Sequence, residues 1–460
     1  MEILRRTQGI DLKARNSGLH GHASIVLKDA LTGKITDKVE KDNFFTLGLD
    51  SAVNGCPFGL NQAYFGYSGS ANGTVNAMSP IHTQLLGGIT LYPQSLGSDT
   101  GVLFPPFSNI PTGYASVDSY TQDDPKQGTY DSVSSGAITN GYKHVYNWGS
   151  AFGNGTIASL ALNPRGSHTW CKDWSKALNP TIFAGTGDSS NGIGLGGFSM
   201  WNGGSFVIAV CDNGILWRYD DGTTREWRYA KIAPFNIDLT NPYMFGTSNG
   251  TCADQTMIPL WALDTSTYGN LDTWQFINNQ LVYISRNNNT FTVTYFDMSD
   301  GSVDNTETYT FSGASFGSAG GCICGDYLYW GSSTAGKIYK CNLNNVADIT
   351  EITSSNIPAN SYVWYVGTQF LYTNRGIYDT ASDVFVETAQ DTMGSSTYLK
   401  YLYDTGVWML TSSHYPWYNG NRRLGATMKN WACMTHANLE NAVQKTADKQ
   451  MVVNYSIIQV

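Results

Sequence analysis

Charge is what this 460-residue sequence has least of: only 14% of its residues are Asp, Glu, Lys or Arg, and the net charge is −9. With no basic run among its 27 Lys and Arg, nucleic acid is excluded as the main partner. Long apolar runs are missing too. "SFVIAVC" is typical of what there is, far below the ~20 residues a spanning helix needs, so no membrane insertion is expected. "MEILRR" is followed by no apolar segment of signal-peptide type, and the chain reads as soluble and made in a cytosol. Cysteine is sparse, at eight residues, and several sit inside apolar strand-like runs such as "VIAVCDNG" and "GCICGDYLYW". There a thiol behaves as a small buried hydrophobe. Cys322-x-Cys324 has no second pair or neighbouring His at zinc-site spacing.

Catalytic signatures are scarce as well. The seven His are scattered; His20-x-His22, read as preceding the first strand, could bind a metal only with distant ligands, and a surface or packing role fits better. No Gly-x-Ser-x-Gly elbow occurs. The stretch from Gly185 to Gly197 lacks the Lys-Ser/Thr of a P-loop and the third Gly of a dinucleotide fingerprint, so it reads as a loop. Glycoside hydrolysis needs two carboxylates ~5–10 Å apart across the scissile bond. Asp123-Asp124 and Asp220-Asp221 are adjacent, and adjacent strand residues point to opposite faces. Asp220-Asp221-Gly222 is better explained as a hairpin turn. The Ser-x-Asp-x-Gly-x-x-Trp box of sialidase-like propellers does not appear intact. The expectation is a non-enzymatic protein with no catalytic residue, no metal and no cofactor.

What the chain does have is aromatics at 13%, with 28 Tyr and 13 Trp, and 49 Gly. That mixture points to an all-β protein of short strands. From about Tyr142 to Ser413 one grammar recurs: aromatic strand, Asn or Asp-Gly turn, apolar strand, turn. "GGSFVIAVCDNGILWRYDDGTTREWRYAKI" shows it, and so does "DTWQFINNQLVYISRNNNTFTVTYFDMSDGSV". With Phe206, Leu281, Tyr327, Phe370 and Trp408 as markers, the spacing from Leu281 onward is about forty residues, that of four-stranded propeller blades. The gap from Phe206 to Leu281 is about twice that, which implies a degenerate unit near "PYMFGTSNG"; another is expected around "NGTIASLALNP". About six or seven blades result. A pair of β-sandwiches would also give short strands and frequent turns, but no period near forty.

Both ends of the chain need partners. "IVLKDALTGKITDKVEKDN" reads as a hairpin, which is marginal alone, followed by a short helix through "FFTLGLDSAVNG". "MVVNYSIIQV" alternates strongly, with Met451, Val453, Tyr455 and Ile457 on one face. The expected fold is therefore a β-propeller-like repeat domain (141–413) inserted into a β-sandwich-like domain built from both chain ends (1–140 and 414–460).

These terminal segments carry a resemblance. "GHASIVLKDALTGKITDKVEKDNFFT" resembles the N-terminal pattern of structural proteins of tailed bacteriophages, in which an "LKDAKTGK"-like hairpin leads to "EKDN..T". "ATMKNWACMTHANLENAVQKTADKQMVVNYSI" resembles a C-terminal pattern of phage tail and fibre proteins, "ANL..PV.KT....M.VTY", matched by Ala437-Asn438-Leu439, Val443, Lys445-Thr446, Met451 and Tyr455, with Ala442 where that pattern has Pro. The resemblance covers about a sixth of the chain and contains no catalytic motif. It implies a virion component associated with the tail, made in the host cytoplasm and assembled with other virion proteins and with itself.

Low charge and large β surfaces fit a cyclic homo-oligomer, for which the fibre resemblance makes a trimer one option. Aromatics beside turns suit a host-surface glycan or protein, since a ring supplies contact at low entropic cost. Trp201 and Trp227 are the candidates in the middle region, and Tyr415, Trp417 and Tyr418 in "SSHYPWYNGNRR". The function expected is tail-associated host attachment. The alternatives are a purely architectural collar or baseplate protein and a glycan-degrading tail enzyme.

Overall fold

A computed structural model describes residues 19–49, 85–97, 101, 104–117, 123–165, 183–185, 199–200, 206–211, 213–220, 223–231, 259–268, 273–365, 370–373, 376–387, 399–405, 408–414, 422–428 and 431–459. The chain is all-β and divides into seven antiparallel sheets among those residues.

Two sheets belong to the chain ends. In the longer one Leu19–Asp29 lies between Ile35–Asp42 and Lys449–Gln459, and the last of these pairs on its other edge with Gly141–Trp148. First and last strands run together without a break, from Leu19 opposite Gln459 to Asp29 opposite Lys449. Their alternation buries Ala23, Ile25 and Leu27 beside Met451, Val453 and Tyr455. The companion sheet runs Phe44–Phe45, Thr435–Lys445, Gly155–Asn163, Gly88–Tyr92, Gly113–Ser116. Its Ile89, Leu91, Ile157, Leu160, Leu162 and Val443 share one apolar core with the longer sheet. Both chain ends thus meet in one body, as their need for partners predicts.

Gly21 illustrates how tightly they meet: a Cβ there would stand 1.7 Å from the Asn43 side chain. The helix expected after the hairpin begins differently. Phe44–Phe45 is a strand against Thr435 and His436, and helical backbone covers only 47–49 of the described residues. Pairing with a distant strand overrides the local helix signal.

The middle region holds five sheets among the described residues. Four are meanders of four consecutive strands, spanning Phe206–Asp264, Trp274–Thr310, Cys322–Thr353 and Val363–Glu387. Their tight turns use the left-handed backbone that Asn tolerates, at Asn278, Asn279 and Asn288 with φ of 51°, 65° and 56°. The fifth has Leu399–Thr405, Trp408–His414 and Arg422–Met428, and is completed by Phe183–Gly185 and Ser199–Met200 from before the first meander. The opening strand of the first meander lies beside those of the second and the fifth, and that of the fourth beside those of the third and fifth. Gln275 ties the second to the third: its amide donates to the Ile323 carbonyl at 2.9 Å and accepts from the Ile323 amide at 2.8 Å.

Several boundaries need correcting. Gly141–Trp148 and Gly155–Asn163 belong to the sheets of the chain ends, so the middle region starts after Asn163, not at 141, and "NGTIASLALNP" is no unit of it. Arg422–Met428 belongs to the fifth middle sheet, so the C-terminal part begins after Met428, not at 414. Phe206 lies on the first strand of its sheet, whereas Leu281, Tyr327, Phe370 and Trp408 lie on the second of theirs. The rest of the long gap falls between Arg225–Ala230 and Trp261–Asp264, which pair directly within one sheet. "PYMFGTSNG" itself lies outside the described residues.

The two groups of sheets are joined by apolar contact. The core of the end sheets continues into Val210, Ile215, Trp217 and Ala230 of the first meander. Phe104, Phe107 and Trp431 pack on Phe370 of the fourth, with ring centroids 5.4 to 6.1 Å apart.

Candidate functional site

The N-terminal motif residues are bonded to the start of the C-terminal stretch. Thr46, the last residue of "EKDNFFT", donates its hydroxyl to the carbonyls of Cys433 and, at 3.0 Å, Met434. Asn43 of the same motif donates from Nδ2 to the Thr435 hydroxyl at 2.7 Å, and that hydroxyl also bonds the buried Tyr455 phenol. Lys41 bridges to Glu440 at 2.9 Å. On the C-terminal side Asn438 accepts from the Leu96 amide at 3.0 Å and donates to the Gly97 carbonyl.

Lys445 is the most constrained of them. It has no exposed surface, and its ammonium donates to Gly149 O at 2.9 Å, Ser150 O at 3.3 Å and Asn154 Oδ1 at 2.8 Å. Three donors meet three acceptors, which satisfies a cation otherwise expensive to bury. Burial still pulls its pKa from 10.5 down to about 8. The arrangement is a polar seam that fixes where the two ends of the chain meet. Its signal in the sequence is the set of polar residues interrupting strongly apolar strands.

Of the ring residues expected to bind ligand, Trp227 is placed inside the protein. Only 1% of it is exposed, and its indole donates to the Tyr268 carbonyl at 2.8 Å while packing on Trp274. Its position next to the Asp-Asp-Gly turn suggests exposure, but the strand alternation turns it toward the neighbouring meander. This corrects the expectation. Trp201, Tyr415, Trp417 and Tyr418 lie outside the described residues, as does most of the stretch from Gly185 to Gly197.

A polar cleft of about 850 Å³ opens over the same sheet, lined in part by Arg218, Arg225, Glu226, Asp264, Thr265 and Ser266. Glu226 and Asp264 are directly opposite each other on adjacent strands. Both are engaged. Glu226 pairs with Arg228 at 2.9 Å, whose guanidinium lies 3.5 Å over the Tyr219 ring. Asp264 accepts from the Ser266 amide at 2.7 Å, which holds its carboxyl below the ordinary value. The surroundings of Asp264 thus hold it away from the protonated form that a general acid needs. Gly214–Asp220 and Arg225–Ala230 are paired, with Asp220 opposite Arg225; Asp221 and Gly222 lie outside the described residues.

His20 and His22 lie within the first strand, not before it, and both reach Asp42 on the next, at 3.3 and 2.9 Å. Among the described residues no group of three or more His, Cys, Asp or Glu is arranged to hold a metal ion. Cys211, Cys322, Cys341 and Cys433 are buried free thiols and Cys324 is half-buried. Burial raises Cys324 to about 11 and Cys341 to about 12, away from reactive thiolate.

No family model matches the chain, and no curated protein does. Among solved structures it is similar to glutaminyl cyclase of Myxococcus xanthus, at 10% identity and a TM-score of 0.28 over 54% of this chain and 93% of that one. Hsv2 of Kluyveromyces lactis is similar at 9% identity and a TM-score of 0.21, over 43% and 55%. BamB of Moraxella catarrhalis is similar at 8% and 0.22, over 70% and 95%. These likenesses are too weak to carry an activity across.

Proposed function

We propose that the chain is a non-enzymatic structural component of a tailed-phage virion, associated with the tail. In this reading the middle sheets form a propeller-like ring, inserted into a sandwich-like domain made from both chain ends. That domain anchors the protein to other virion proteins, and the ring is presented toward the host surface. One observation carries the reading. The segment that resembles the N-terminal phage pattern is bonded, across nearly four hundred residues, to the C-terminal stretch that carries the second resemblance: Asn43 to Thr435, Thr46 to Cys433 and Met434, and Lys41 to Glu440.

Antibodies raised against the ring test it on purified particles. Immunogold labelling of tails together with neutralisation of infection is the expected result. Labelled tails with unimpaired infection would replace attachment by a purely architectural collar or baseplate role. Unlabelled particles of proven protein content would overturn the virion reading.

A further inference from the structure

The longer end sheet stops at Ile35–Asp42, which among the described residues has one strand neighbour, Leu19–Asp29. One face is open and the other is covered only at Val39, which packs on the core, and at Lys41, which pairs with Glu440; Ile35 is 54% exposed. The Asn43 amide donates inward to Gly21 O, and backbone groups alternate sides along a strand. As far as the register irregularity at Thr36, the amides and carbonyls of Lys38, Glu40 and Asp42 therefore point away from the sheet. Such a row is a template for another strand.

The charges along the row select the partner. Outward from Val39 the sequence reads Lys38 and Glu40, then Asp37 and Lys41, then Thr36 and Asp42. Two copies paired antiparallel about Val39 set Lys38 of each opposite Glu40 of the other, and Asp37 opposite Lys41. Facing residues in a continuous sheet share a face, so both pairs can close. Parallel pairing sets every charge against its like. Shifting the antiparallel register by two residues sets Lys38 on Lys38 or Glu40 on Glu40. One arrangement satisfies the whole row.

We propose that two copies of this chain join edge to edge through Ile35–Asp42, antiparallel about Val39, in one continuous sheet across a two-fold axis. The Lys38–Glu40 bridge, 2.8 Å within one copy, becomes half of a four-charge cluster. Lys41, already on Glu440, gains Asp37 of the second copy. The joint makes a dimer, not a trimer, and is independent of the attachment reading. The seam is short, which places the association in the micromolar range.

Sedimentation of the full chain over a concentration series tests it. The expected result is a monomer–dimer equilibrium that loosens with salt. Lys38→Pro removes an outward amide without touching the ladder to Leu19–Asp29, and gives monomer. Glu40→Lys weakens dimerisation about tenfold, and combining it with Lys38→Glu restores most of the loss. Monomer at all concentrations, a trimer, or a dimer indifferent to Lys38→Pro and Glu40→Lys with melting curves unchanged would each overturn the proposal.

Discussion

The end body and the ring of meanders solve the same problem by opposite means. In the ring each sheet is made of strands that follow one another, so its ladders are local; only the fifth borrows strands from far away, Phe183–Gly185 and Ser199–Met200. In the end body almost every ladder is remote, from Leu19–Asp29 against Lys449–Gln459 to Gly155–Asn163 against Thr435–Lys445. Remote pairing carries a larger loop-closure cost and needs register fixed by something stronger than a turn. The polar seam of Asn43, Thr46, Thr435 and Lys445 supplies it. Between the meanders polar ties occur as well, Gln275 to Ile323 and Lys340 to Asp383 among the described residues, but there each sheet's register is already set by its own turns.

Removing Lys449–Val460 is the harshest test of that contrast. It strips both Leu19–Asp29 and Gly141–Trp148 of a strand, and amide exchange protection in both is expected to vanish while 274–353 stays protected. Loss of protection across the ring as well would mean the two bodies unfold as one. Next in size is Trp431→Ala, which empties the aromatic joint between them. The expected cost is about 3–5 kcal/mol by denaturant titration, with the two bodies unfolding at separate midpoints.

Lys445→Met leaves Asn154 Oδ1 without its donor, while Gly149 O keeps the Phe152 amide and Ser150 O keeps Asn154 Nδ2, and should cost about 1–3 kcal/mol, confined to the end body. The same site gives a pH signature. The folded pKa lies below that of the unfolded chain, so between about pH 8 and 10.5 the unfolded state holds this proton more tightly. Wild-type stability from this group therefore rises with pH across that window, and the gap to Lys445→Met widens; the difference in urea midpoint measures it. Smallest is Gln275→Leu, about 2 kcal/mol, read as faster exchange at Ile323 with the end body unmoved.

Local grammar made the ring legible in the sequence. Apolar and aromatic strands punctuated by Asn and Asp-Gly turns show up in any short window, and the hairpins at Asp220 and Asn288 fall where the turns place them. Membership in a sheet is a different matter. Gly141–Trp148 and Gly155–Asn163 have the same texture as ring strands, yet their neighbours are near the C-terminus, and composition does not encode a partner that far away. Phe206 set the marker out of phase because first and second strands of a meander are equally apolar. Trp227 shows the limit for sites. A Trp next to a turn can face either way, and the alternation against Arg218 and Leu263 decides it for the interior. Asn43 and Lys445 were visible only as parts of terminal motifs; that they serve one seam takes coordinates to see.

Strand Lys449–Gln459 also sets a schedule. During synthesis the four meanders emerge with all their own ladders in hand, while Leu19–Asp29, made early, must wait until that last strand leaves the ribosome. A translation product cut short between Glu387 and Lys449 would carry four finished meanders on an unfinished base.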